Sequence, residues 1–117
     1  MTVYVVLIRE SVSDQKEYEE KYRRLVPASF KGRNATPVAQ SRASGMEVLE
    51  GPEIEGMAIT AFPSMEEARA WYDSPEYKAA RKGREGIANC RILVCEGTTV
   101  EATHGFRAPG DNQRKPE

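Results

Sequence analysis

Residues 3–9 read Val3-Tyr4-Val5-Val6-Leu7-Ile8-Arg9, and this stretch decides the fold. Its β-branched and aromatic content marks a strand. Val3, Val5 and Leu7 fall on one side of that strand and Tyr4, Val6 and Ile8 on the other, so both faces are apolar. A strand apolar on both faces is covered on both faces.

Downstream, Ser11-Val12-Ser13-Asp14 opens a helix, with Glu17 three residues after Asp14 in the manner of a capping box. Tyr18, Tyr22, Leu25 and Val26 follow at helical spacing, and Pro27 marks the end of this first helix or lies just past it. Residues 30–37 read as a loop. Residues 36–42 and 46–49 form one long second strand, bent by a bulge at Ser44-Gly45. The turn Glu50-Gly51-Pro52-Glu53 returns the chain into a third strand over residues 56–62.

Ser64 and Glu67 form a capping box of the standard kind ahead of a stripe of Met65, Ala68, Trp71 and Tyr72. Ser74 caps a fresh helical segment with Pro75 at its first position, a favoured placement. That segment runs through Tyr77, Ala80 and Arg84, and residues 88–96 make the fourth strand. The order is β-α-β-β-α-β, an α+β ferredoxin-like arrangement with a four-stranded antiparallel sheet. Residues 1–97 form this domain. Residues 98–117, rich in Gly, Pro, Asn and charge, form a C-terminal extension, mobile or laid over a neighbour.

Two helices cover only one face of such a sheet. The first strand is apolar on its other face too, and the third is nearly apolar throughout. Left in water, they would expose more than the few hundred Å² a monomer tolerates. A second copy packed sheet to sheet, as an isologous homodimer, removes the problem.

The composition narrows the partners. The chain has 117 residues, 39% hydrophobic and 30% charged, with a formal net charge of -1. That balance gives no general pull toward nucleic acid or an anionic membrane surface. No apolar run approaches the roughly 20 residues that span a bilayer. The chain starts with a strand rather than a basic leader, which points to the cytoplasm. Cys90 and Cys95 are the whole thiol inventory. Their odd separation puts them on opposite faces of one strand, where no disulfide joins them.

Several segments together resemble a known family. They are Glu47-Val48-Leu49-Glu50-Gly51, Phe62-Pro63-Ser64, Trp71-Tyr72-Asp73-Ser74-Pro75-Glu76-Tyr77, and Arg84 seven residues after that tyrosine. In this order they resemble the bacterial domain-of-unknown-function family DUF1330, of the dimeric α/β-barrel superfamily, over residues 3–97. The resemblance implies a monomer whose sheet joins its mate's in an eight-stranded barrel. It also implies a small-molecule cleft between sheet and helices. Related families include quinone-forming monooxygenases, lactone isomerases and haem-degrading enzymes, while no reaction is generally assigned to this one. Relatives often carry a Gly-Gly pair ahead of the second strand where this chain has Thr36-Pro37.

Candidate site residues follow. Arg84 matches a family position and is suited to gripping a carboxylate, enolate or phosphate; as a solvated helix end it would merely complement the dipole. Arg42 can reach the same cleft from the second strand, or pair with Glu47 or Glu50. Tyr22, Tyr72 and Tyr77 are candidate proton donors, with a phenol pKa lowered by Arg84, or simply core residues. Trp71 is a stacking platform or a packing anchor. His104 is the only histidine and has no ligand partners at metal-binding spacing. No phosphate-binding or dinucleotide fingerprint occurs, so no cofactor is expected. Two functions fit. One is cofactor-independent acid/base chemistry, isomerase- or monooxygenase-like, on a small organic acid, quinone or lactone. The other is a non-catalytic module that binds a metabolite or a protein.

Overall fold

The computed structural model describes residues 1–97. The strands are β1 (Val3–Val12), β2 (Thr36–Arg42), β3 (Gly56–Phe62) and β4 (Ala88–Glu96). The helices are α1 (Gln15–Lys21), α2 (Val26–Ser29), α3 (Met65–Tyr72) and α4 (Pro75–Gly83). The sheet is antiparallel in the order β2-β3-β1-β4, so the expected α+β ferredoxin-like topology is the one observed.

Three of the four helices, α1, α3 and α4, start where the sequence supplies an acceptor for an orphan N–H. The side chains of Asp14, Ser64 and Ser74 accept hydrogen bonds from the backbone N–H groups of Glu17, Glu67 and Tyr77 at 3.0, 3.1 and 3.2 Å. Ser74 also donates to the carbonyl of Trp71 at 2.7 Å, joining the end of α3 to the start of α4. Close packing holds the first helical region against the last. A side chain at Gly83 would run into the carbonyl of Lys21, so only glycine lets the end of α4 meet the end of α1.

Two segments differ from the sequence reading. The first helix is not continuous to Pro27. It breaks at Tyr22 (φ -121°, ψ -66°), tightens into a 3₁₀ turn over Arg23–Leu25, and restarts as α2. Pro27 lies in the first turn of α2, where its missing N–H costs nothing. The second strand is also shorter than expected. It stops at Arg42, a 3₁₀ turn follows over Ala43–Gly45, and residues 46–49 form no strand. The register shift sits instead between Pro37 and Ala39, because proline lacks the N–H a regular ladder needs.

The core lies between sheet and helices. It is built from Val3, Val5 and Leu7 of β1, Phe62 of β3, and Tyr18, Tyr22, Ala68, Trp71, Tyr77 and Ala80 of the helical layer. The pairing register puts Tyr4, Val6 and Ile8 on the opposite face, beside Met57, Ile59 and Ala61 of β3 and Leu93 and Cys95 of β4. Leu93 is 43% exposed. This second face is apolar and carries no helix. Cys90 and Cys95 are free and on opposite faces. Among the described residues no helix is long and apolar enough to cross a membrane. The extension at residues 98–117, His104 included, lies outside the described residues.

Candidate functional site

On β1 the core-facing alternation Val3, Val5, Leu7 continues into Arg9, which is only 8% exposed. Burying a guanidinium is costly unless its charge and N–H groups are matched. Arg9 Nη1 donates to Tyr18 Oη at 3.3 Å and Nη2 to the carbonyl of Glu55 at 3.4 Å. The guanidinium lies 5.0 Å from the centre of the Tyr18 ring. Its Nε has no hydrogen-bond partner. Among the described residues the ion pairs are Lys21–Glu17, Arg23–Glu19 and Arg42–Glu19, so no carboxylate compensates Arg9.

Arg9 is at one end of a cleft of about 560 Å³ between the sheet and the α1–α2 region. Leu7 and Ala58 line it from the sheet, and Tyr18, Tyr22, Val26 and Phe30 from the helical side. Arg23 and Arg42 stand at its border, and no acidic residue lines it. Its apolar walls and few convergent polar groups are those of a small-molecule pocket.

The sequence candidates divide into three places. Tyr22 and Arg42 line the cleft. The acid beside Arg42 is Glu19, at 3.8 Å, rather than Glu47 or Glu50, because those two follow the strand's end. Tyr77 and Arg84 stand behind Tyr22. The Tyr77 and Tyr22 phenol oxygens are 2.6 Å apart, and the Arg84 guanidinium is 5.0 Å from the Tyr22 ring centre. Arg84 Nε is buried and without a partner.

Tyr72 and Trp71 are elsewhere, in a separate hollow of about 270 Å³ against β4. The Tyr72 hydroxyl accepts from Arg81 at 3.2 Å. Trp71 donates its indole N–H to Ser29 Oγ at 2.9 Å and stacks on Phe30 with ring centres 5.2 Å apart.

The phenols do not titrate as the sequence suggested. Burial pushes Tyr22 far above its usual value, and the neighbouring Tyr77 adds to the rise. Burial also raises Tyr18 and Tyr77, outweighing the hydrogen bond and charge of Arg9 at the first and the influence of Tyr22 and Arg84 at the second. The cations lower these pKa values less than desolvation raises them. The phenols therefore stay protonated at neutral pH, able to donate a proton or hydrogen bond. Cys90, opposite Arg9 on β4, is likewise raised by burial against the pull of Arg84 and Arg9. Its thiol is not activated.

Arg9 escaped the sequence reading although its signal was present. It is a charged residue at the next core-facing position of an otherwise apolar alternation. Tyr18 appeared only as part of a helical stripe. Among the described residues no group of three or more His, Cys, Asp or Glu side chains is placed to hold a metal ion.

The family model for the domain of unknown function DUF1330 matches residues 2–98. The chain belongs to the DUF1330 family. Solved structures resemble this DUF1330 chain in fold. A protein of unknown function from Rhodopseudomonas palustris aligns at 17% identity and a TM-score of 0.63, over 84% of this chain and 83% of that one. A dimeric ferredoxin-like protein of unknown function from Thermobifida fusca aligns at 11% identity and a TM-score of 0.58, over 81% and 90%. A variant of SnoaB, a cofactor-independent oxygenase from Streptomyces nogalater, aligns at 12% identity and a TM-score of 0.58, over 84% and 94%. No curated protein matches the sequence significantly.

Proposed function

We propose that this DUF1330 chain is a cytoplasmic homodimer that holds a small organic acid, quinone or lactone in the arginine-bordered cleft. Its tyrosines act there as proton donors without a cofactor. The observation that carries the reading is Arg9: a buried guanidinium with no acidic partner among the described residues, lining a cleft that joins apolar walls to Arg23 and Arg42. Removing a guanidinium's charge from water is tolerated where a ligand supplies the counter-charge. Tyr18, bonded to Arg9, and Tyr22, on the cleft wall, are the groups that would protonate or hydrogen-bond a developing oxyanion. Tyr77 and Arg84 hold Tyr22 from behind, and Arg42 guards the mouth. Trp71 and Tyr72 take no part in this cleft.

The dimer is supported by the uncovered apolar face and by the dimeric T. fusca neighbour. Chemistry without a cofactor is suggested by SnoaB, a likeness of fold that is a weak warrant for function.

A second reading, a non-catalytic metabolite-binding module, is favoured by the raised tyrosine pKa values. Neither Tyr18 nor Tyr22 is poised to act as a base, whereas catalytic bases are usually tuned toward the working pH. Native mass spectrometry of the freshly purified protein tests the shared core of both readings. A dimer that carries a small molecule, lost in Arg9→Met, is the expected result. A monomer at micromolar concentration defeats the dimer, and a ligand retained equally by Arg9→Met defeats the site. Turnover of the released compound by the wild type, with none by Tyr18→Phe and Tyr22→Phe, separates enzyme from binding module.

A further inference from the structure

One row of the sheet carries the head of the cleft. Arg9 of β1 pairs with Gly56 of β3, and Gly56 pairs with Arg42 of β2. Directly paired residues share a face, so all three look toward the helices. Two strand spacings put the Arg9 and Arg42 backbones roughly 9–10 Å apart, and between them there is no side chain. A methyl group at Gly56 would collide with the Arg9 guanidinium and come within 2.8 Å of the Ser41 carbonyl. Arg9 therefore reaches across its neighbour strand, over Gly56, toward Arg42. Arg23 borders the same place from the helical side.

These three arginines also border a second, more polar hollow of about 370 Å³, which contains Lys16, Glu19 and Glu55. They form a waist between an apolar cleft and a polar vestibule. Glu19 is engaged by Arg23 and Arg42, and among the described residues no carboxylate lies within ion-pair distance of Arg9.

We infer that the cleft takes an apolar-bodied carboxylate, its carboxylate seated between Arg9 and Arg42 and its body among Leu7, Val26 and Phe30. The assignment rests on the proposed reading of the cleft and narrows it from acid, quinone or lactone to acid. A planar carboxylate matches the guanidinium fork, while the uncharged oxygen of a quinone or lactone leaves the buried charge uncompensated. Gly56 becomes a specificity-determining residue, since its missing side chain leaves the space through which the Arg9 guanidinium reaches toward Arg42.

The test is calorimetric titration with matched pairs: benzoate, cinnamate, naphthoate and octanoate, each beside its primary amide. A charge-assisted hydrogen bond predicts an acid that binds about tenfold or more tighter than its amide. That gap is expected to collapse in Arg9→Lys, which keeps the charge and loses the fork, in Gly56→Ala, and to shrink in Arg42→Met. Arg42 is at the exposed mouth, so its variant remains informative if Gly56→Ala fails to fold. Amides that bind as well as acids would overturn the carboxylate assignment and leave the cleft reading standing. A gap that persists in all three variants would place the anion elsewhere and overturn the assignment too. Binding of no member of either series would defeat both the assignment and the cleft.

Discussion

The hydroxyls of Tyr22 and Tyr77 lie 2.6 Å apart, bridging α1's end and α4 across 55 positions of sequence. Tyr22 touches the cleft, whereas Tyr77 is fully buried. The pair thus fixes one wall of the cleft to the interior of the helical layer. Either hydroxyl can donate, and whichever does leaves the other's proton to find a second acceptor.

Tyr22→Phe strands the Tyr77 hydroxyl in the core. The expected loss is about 1–2 kcal/mol, the usual cost of an unpaired buried polar group. The double change Tyr22→Phe/Tyr77→Phe should recover part of it, since neither hydroxyl is then orphaned. Urea denaturation of the four members of this cycle decides; strict additivity would mean that the two hydroxyls do not interact.

Because burial raises Tyr18, Tyr22 and Tyr77 in the folded state, their linkage to stability lies at alkaline pH. The unfolded chain ionises its phenols near the usual value of about 10, while the folded chain holds these protons. Their contribution is complete below about pH 10 and is lost as pH rises beyond it. Tyr22→Phe should therefore flatten the fall in melting temperature above that pH. An unchanged slope in the variant counts against a raised Tyr22.

Arg9→Met combined with Tyr18→Phe, which leaves no orphaned hydroxyl, should not destabilise the empty protein, and a gain of about 1 kcal/mol or more is expected. Replacing a buried, poorly compensated charge with an apolar side chain of similar length is commonly neutral or stabilising. Chemical denaturation of ligand-free protein checks this. A clear loss of stability would make Arg9 a structural strut instead of a site held at a cost for its ligand.

Ser29→Ala removes the acceptor of the Trp71 indole N–H, and Ser29 is itself buried. The expected cost is about 1–3 kcal/mol, with a shift in the fluorescence of the single tryptophan. Cleft binding should change little, because Trp71 faces the other hollow. A variant that loses ligand as strongly as Arg9→Met would refute that separation.

On the apolar face, Leu93→Glu should yield a folded monomer by sedimentation, with far-ultraviolet dichroism unchanged. Cys95 shares that face, two residues along β4 from Leu93 and paired with Tyr4. Its labelling by a thiol reagent should be slow in the dimer and accelerate in the Leu93→Glu variant. Fast labelling of Cys95 in concentrated wild-type protein would contradict a covered face.

Much of the fold was legible because its signals are local. Ser64, Ser74 and Asp14 announce helix starts, and the alternating faces of residues 3–8 announce a strand apolar on both sides. The break at Tyr22 was not legible, since Tyr18, Tyr22, Leu25 and Val26 keep helical spacing while the backbone tightens between them. Nor was the early end of β2, where the apolar pattern at residues 46–49 imitates a strand without a neighbour to pair with. Within the site, Arg42 and Tyr22 were found from their types and places. Tyr72 and Trp71 were drawn in because they sit near Tyr77 in sequence, though the turn of α3 aims them at β4. The rise of the phenol pKa values was hidden for a different reason: burial is a property of the whole packing, whereas a nearby arginine is visible in the sequence.

The irregular pairing at Pro37 has a consequence for how copies meet. The order β2-β3-β1-β4 leaves β2 at one margin of the sheet, the place where a foreign strand would add itself and start an endless ribbon. A residue that cannot donate, followed at once by a slipped register, makes that margin a poor template. The molecule thereby discourages growth edge to edge while keeping a broad apolar face available. Any pairing of copies is thereby steered toward a closed dimer and away from fibres.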